Sequence, residues 1–177
     1  MQTHRDFEFH SSIGAEHFGE LQALLFFHPR QQMLIDSIRA CVAEFGVPEI
    51  EQRTGRLYVG IPRNGAQGLI ACRRGPGAGA PVAVVMYLRT SRELLRILHL
   101  AVHPAYERDG AHAGLGLGVA MVDAVRTLAR RVAGVRRIQL PYVKNGYLAV
   151  PRLCATRNAA FASAVNPNSE AAKTMAG

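Results

Sequence analysis

The sequence predicts an α+β fold, with helices packed on a mixed, mostly antiparallel twisted sheet. Three observations carry this. The first third holds two apolar stripes at helical spacing, and the middle changes to short β-branched runs separated by turn residues. A glycine cluster then opens a third helix that leads into another strand.

Ile13 to Phe27 is apolar with helical spacing, and Pro29 marks a break. Gln31 to Phe45 sets Leu34, Ile35, Ile38, Cys41, Val42 and Phe45 on one stripe, stopped by Gly46 and Pro48. From Arg56 the period shortens. Leu57–Ile61 reads as a strand, and Asn64-Gly65 signals a hairpin turn into Gly68–Cys72. Gly75 to Gly79 turns the chain into Pro81–Leu88, apolar on both faces as a central strand should be. Thr90 to Glu93 returns it into Leu94–Val102, which completes an antiparallel meander. After a loop from His103 to Ala113, a helix is expected over Val119 to Val132, with Val119, Val122, Val125, Leu128 and Val132 as its apolar stripe. Arg126, Arg130 and Arg131 lie near its C-terminal end, where the helix dipole favours cations. Gly134 stops it before a strand over Val135 to Val143.

The length of 177 residues fits one domain over 1–177, and 49% hydrophobic residues exclude a disordered or collagen-like chain. Lysine and arginine number 21 against 13 acidic residues, a net charge of +8 that favours an anionic partner. Nucleic acid is not expected, because the arginines are scattered and there is no tryptophan to stack on bases. The three cysteines, Cys41, Cys72 and Cys154, form no CxxC pair, and no clustered metal ligands appear. With no secretion signal and no apolar run of membrane-spanning length, a cytoplasmic location and no membrane partner are expected.

The chemistry concentrates at Gly114-Leu-Gly-Leu-Gly118. A strand running into glycines and then a helix start is a ready anion site, because backbone N–H groups of the first helical turn point outward. A Walker A loop needs Gly-Lys-Ser/Thr where Val119 and Ala120 stand, and a dinucleotide fingerprint needs a glycine at Val119. Neither fits. The combination of Leu100-Ala-Val-His-Pro104 with Ala113-Gly-Leu-Gly-Leu-Gly118 resembles the GNAT superfamily of acetyl-CoA-dependent N-acyltransferases, over Pro81 to about Val143.

That resemblance implies an acyltransferase moving an acetyl or other acyl group from acetyl-CoA to a primary amine, on a small molecule or a peptide. It implies that backbone groups of Leu100, Ala101 and Val102 pair with the pantetheine arm where two strands splay apart. It also implies that backbone N–H groups of Ala113, Gly114, Leu115, Gly116, Leu117, Gly118 and Val119 hold the pyrophosphate. Ala113 stands where the family usually has Arg or Gln, so Arg108 or His112 on the preceding loop would replace that contact. Asn168 and Ala171 match a late Asn-x-x-Ala phrase, while Met175 stands where a thiolate-protonating tyrosine is common. The chain stops where the family's last strand pair normally begins. A homodimer partner or residues 144–165 are alternative sources of those strands, as is truncation.

Acyl transfer to an amine needs a base for the ammonium proton and an acid for the leaving thiolate. His99 and His103 flank the end of the strand before the glycines and Glu93 starts it, which makes them the candidate bases. Histidine titrates near working pH without help. Tyr142 and Tyr147 are the candidate acids. The alternative is a non-catalytic protein of the same fold that binds acyl-CoA.

Overall fold

In a computed structural model, residues 6–75, 79–141 and 146–151 are described. Strands β1 (Phe7–His10) and β2 (Ile13–Gly14) precede helices α1 (Phe18–Phe26) and α2 (Ile35–Phe45). Strands β3 (Glu49–Arg53), β4 (Arg56–Ile61), β5 (Ala66–Arg73), β6 (Pro81–Arg89) and β7 (Leu94–Val102) follow. Helix α3 (Leu117–Arg131) then leads to β8 (Arg137–Gln139) and β9 (Tyr147–Ala149). The sheet order is β2-β4-β5-β6-β7-β8-β9, with β1 also on β5 and β3 on β4. Among the described residues every pairing is antiparallel except β7 with β8, which are joined through α3. The mixed, mostly antiparallel sheet and the meander from β4 to β7 are as the sequence predicts.

Two local expectations change, and two strands appear where the sequence predicts no element. The helix expected from Ile13 begins only at Phe18, because Ile13 and Gly14 pair with Leu57 and Arg56 of β4. Phe7–His10 pairs with β5, burying Phe7 and leaving Glu8 exposed. Glu49–Arg53 is a strand despite its charge, held to β4 through a two-residue turn at Thr54 and Gly55 with φ of 48° and 76°. Positive φ at both turn positions matches the twist of paired strands. Finally, the buried face of α3 is Leu117, Ala120, Met121, Ala124, Val125 and Ala129, whereas Val119 is 66% exposed. The helix starts two residues earlier than expected, and of the expected valine stripe only Val125 belongs to the buried face.

The sheet separates two cores. On one face Leu117, Met121 and Val125 of α3 pack over Val85, Leu95 and Ile97. On the other, Leu21, Leu24 and Leu25 of α1 cover Ile70, Val84 and Met86. Strand β7 carries an irregularity in its pairing with β6: His99 lies opposite Met86 and Ile97 opposite Tyr87, so Leu98 is an extra residue. Such a bulge breaks the strict in-out alternation. Leu98 and His99 consequently both reach the α1–α2 face, while Ile97 packs on the α3 face.

Candidate functional site

The end of β7 brings the relevant parts together. Its ladder with β8 covers only Leu94, Leu95 and Arg96, opposite Arg137, Ile138 and Gln139. From Ile97 to Val102 it keeps β6 on one side, and no described strand pairs with the other. Among the described residues, Leu100–Val102, where the resemblance implies a splay, thus has no strand partner on that edge.

Side chains from the helical segment reach this open edge. His28 is buried and sets its Nε2 2.7 Å from the Val102 carbonyl oxygen. Its Nδ1 accepts from the Arg30 N–H at 3.2 Å. That acceptor role assigns the ring proton to Nε2, which donates to Val102. The local sequence favours this placement, because His28 caps a short 3₁₀ turn (Pro29–Leu34) with proline at its first position. Glu107 completes the group, with Oε1 3.5 Å from His28 Nε2 and Oε2 2.9 Å from Arg30 Nε. Farther back along β7, the Cys41 thiol donates to the Leu98 carbonyl at 3.6 Å. Burial pushes that thiol above its ordinary pKa, with Arg96 opposing and Glu44 adding to the rise.

The glycine turn sits beside the same strand end. Ala113–Leu115 forms a single 3₁₀ turn, and Gly116 follows at φ 59° before α3 starts. A Cβ on Gly118 would stand 3.9 Å from the Val102 side chain, whereas one on Gly114 would meet nothing within 4 Å. The N–H groups of Ala113, Leu115 and Gly116 are used internally, by the carbonyls of Gly110, His112 and Ala113. Helix geometry leaves the first-turn donors Leu117, Gly118 and Val119 without intrahelical acceptors, since the first such bond runs from Ala120 to Gly116. Of the seven N–H groups the resemblance implies, three are thus used internally, and Leu117, Gly118 and Val119 have no intrahelical acceptor.

The loop between is ordered by its own contacts. The His103 ring accepts from the Ala105 N–H at 3.2 Å, capping the short turn at Pro104–Tyr106. Tyr106 is buried, edge-on to Phe7 and 5.0 Å from the His112 ring. His112 in turn lies 3.5 Å from Arg73 Nη1, which brings a cation to the residue before Ala113. Arg108 is exposed. A cleft of about 530 Å³ opens here, among Phe27, His28, Val82, His103, Tyr106 and His112.

The other candidates lie apart. His99 faces a separate pocket under α2, and burial, with neighbouring His28 adding, pushes its pKa from 6.5 down to about 4. The expectation of titration near working pH is therefore corrected: desolvation disfavours the imidazolium. Glu93 is ion-paired with Arg136 at 3.3 Å, and its carbonyl accepts from the Arg136 and Arg137 N–H groups, at the opposite end of β7. Tyr147, on β9, is 45% exposed beneath the Arg137 guanidinium. Tyr142, Asn168 and Met175 lie outside the described residues. The sequence reading missed His28, Arg30 and Glu107. The His28-Pro29 capping pair was a visible signal for the turn, though not for its target.

No family model and no curated protein matches the sequence. Among solved structures, the chain is similar to a tandem GNAT protein of the clavulanic acid biosynthesis pathway, solved without acetyl-CoA. That match has 19% identity and a TM-score of 0.43, over 76% of this chain and 36% of the other. An acetyltransferase from Streptococcus agalactiae aligns at 15% identity and a TM-score of 0.42, over 77% of this chain and 73% of its own. A cAMP-binding acyltransferase from Mycobacterium smegmatis aligns at 16% and 0.34, over 71% and 48%. The chain thus spans about a third of the first of these and about half of the last. No described helix is long and apolar enough to cross a membrane.

Proposed function

We propose that the protein binds acyl-CoA at the end of β7 and transfers the acyl group to an amine. One observation carries the reading: among the described residues no strand pairs with the edge of β7 from Ile97 to Val102, and the first turn of α3 lies directly beside it. The residues fit the two parts of such a ligand unequally. First-turn donors at Leu117, Gly118 and Val119, with Arg73 and His112 nearby, suit a pyrophosphate. At the strand edge the Val102 and Leu98 carbonyls already accept from His28 and Cys41, which leaves Leu100 between them as the backbone contact for an extended arm.

When bound, acyl-CoA supplies the activated acyl group. This chain's part is to hold the arm along β7 and bring an amine to its end. His99, with its pKa near 4, is uncharged at neutral pH but a poor match for an ammonium proton. His103 uses its acceptor nitrogen as a cap. These two observations favour a second reading, acyl-CoA binding without turnover. Calorimetry with CoA and acetyl-CoA, followed by thiol release over an amine panel, tests both readings. Binding in the micromolar range with thiol release supports transfer, and binding without release supports the second reading. An absence of binding overturns both.

A further inference from the structure

Helix α2 does not close on the sheet. Its stripe includes Ile38, Cys41, Val42 and Phe45, yet only Phe45 is buried and the other three remain half-buried. An amphipathic helix normally seats such a stripe on the core. Beneath it lies a pocket of about 180 Å³, walled by Phe26, Ile38, Val42, Ile61, Met86 and Leu98. The pocket is partly open to solvent, and Val47 of its lining is 59% exposed. An engineered apolar cavity of about 150 Å³ stays dry and binds benzene.

The lining determines what would fill it. Among the described residues, no Asp, Glu, Lys or Arg contributes to the wall. Its polar members are His99, Cys41 and Gln31; the Cys41 thiol is bonded to the Leu98 carbonyl and the Gln31 amide to the Leu25 carbonyl. A charged ligand would lose its hydration here without a counter-charge. The bulge that turns both Leu98 and His99 to this face sets the imidazole against the space, just past Arg96, where β8 has left β7.

We propose that this pocket binds a neutral hydrocarbon group about the size of benzene, an aromatic ring or a short branched alkyl chain, with its point of attachment facing His99. The group is carried by the acyl chain of a thioester or by the body of the amine acceptor. That role rests on the proposed function, whereas hydrocarbon binding itself does not.

Methionine-methyl NMR on the full chain provides the test, because Met86 lines the pocket and is 0% exposed. Toluene should shift the Met86 methyl saturably, with benzoate and benzylammonium binding at least tenfold more weakly. No shift with toluene, or equal binding of all three, overturns the proposal. Val42→Phe should abolish the toluene shift, and the milder Val42→Leu should weaken it. Survival of the full shift in either folded variant also overturns it. Toluene displaced by benzoyl-CoA but not by acetyl-CoA identifies the thioester as the source. Displacement by 4-phenylbutylammonium instead identifies the amine. If toluene binds but no CoA ligand does, the pocket stands and the transfer reading falls; CoA binding without toluene binding overturns the pocket alone.

Discussion

His28 and Val102 are 74 residues apart in the chain, and the imidazole Nε2–H of the first donates to the carbonyl of the second across 2.7 Å. This bond ties the helical N-terminal segment to the last residue of β7, beside the start of α3. Because His28 is buried, His28→Ala would leave the Val102 carbonyl unsatisfied. We expect a loss of about 1–3 kcal/mol, read as a lower urea midpoint with an unchanged slope.

The glycine turn separates charge from strain. Gly114 has open space around it, so Gly114→Ala should leave both stability and CoA affinity nearly unchanged. Gly114→Glu adds a negative charge at the same place and should weaken CoA at least tenfold in calorimetry. At Gly116, with φ 59°, even alanine should destabilise by about 1–2 kcal/mol, since a Cβ is crowded in the left-handed region.

Stability should depend on pH through His99. Its folded pKa of about 4 lies below the ordinary 6.5, so between these values the unfolded chain binds more protons. The contribution is fully present above pH 6.5, is lost as pH falls toward 4, and is flat below that. The slope should be of order 1 kcal/mol per pH unit. His99→Gln should reduce that slope in denaturant titrations repeated across pH 4–7.

The described thiols should be inert in the native state. Cys41 is raised by burial, and Cys72 is pushed up to about 11 by burial, with Glu8 adding. In a Cys154→Ser variant, a thiol reagent at pH 8 should react slowly with the folded protein and rapidly with both cysteines after denaturation.

Seating α3 depends on its buried face. Leu117 and Met121 are fully buried at the junction with β6 and β7, and truncation of either to alanine should cost about 2–5 kcal/mol. Leu117→Ala should also weaken CoA, because Leu117 opens the first turn. Met121→Ala, one turn on, should spare affinity per folded molecule.

What the sequence determined by itself was local and periodic. The apolar run at Pro81–Arg89, the return into Leu94–Val102 and the glycines before α3 are legible because alternation, turn residues and positive-φ glycines are written in neighbouring positions. Glu49–Arg53 was not legible as a strand, since its charged side chains obscure any period and its ladder with Arg56–Gly60 makes it one. The start of α1 at Phe18 was likewise decided by pairing with β4. Tertiary structure alone decided the site. The bulge that turns His99 toward α2 arises from register against β6, and burial there sets its pKa. The meeting of His28 with Val102, and of Arg73 with His112, depends on strands and helices brought together from distant parts of the chain. Local patterns carry no information on such contacts, because they are selected by the packing of whole elements.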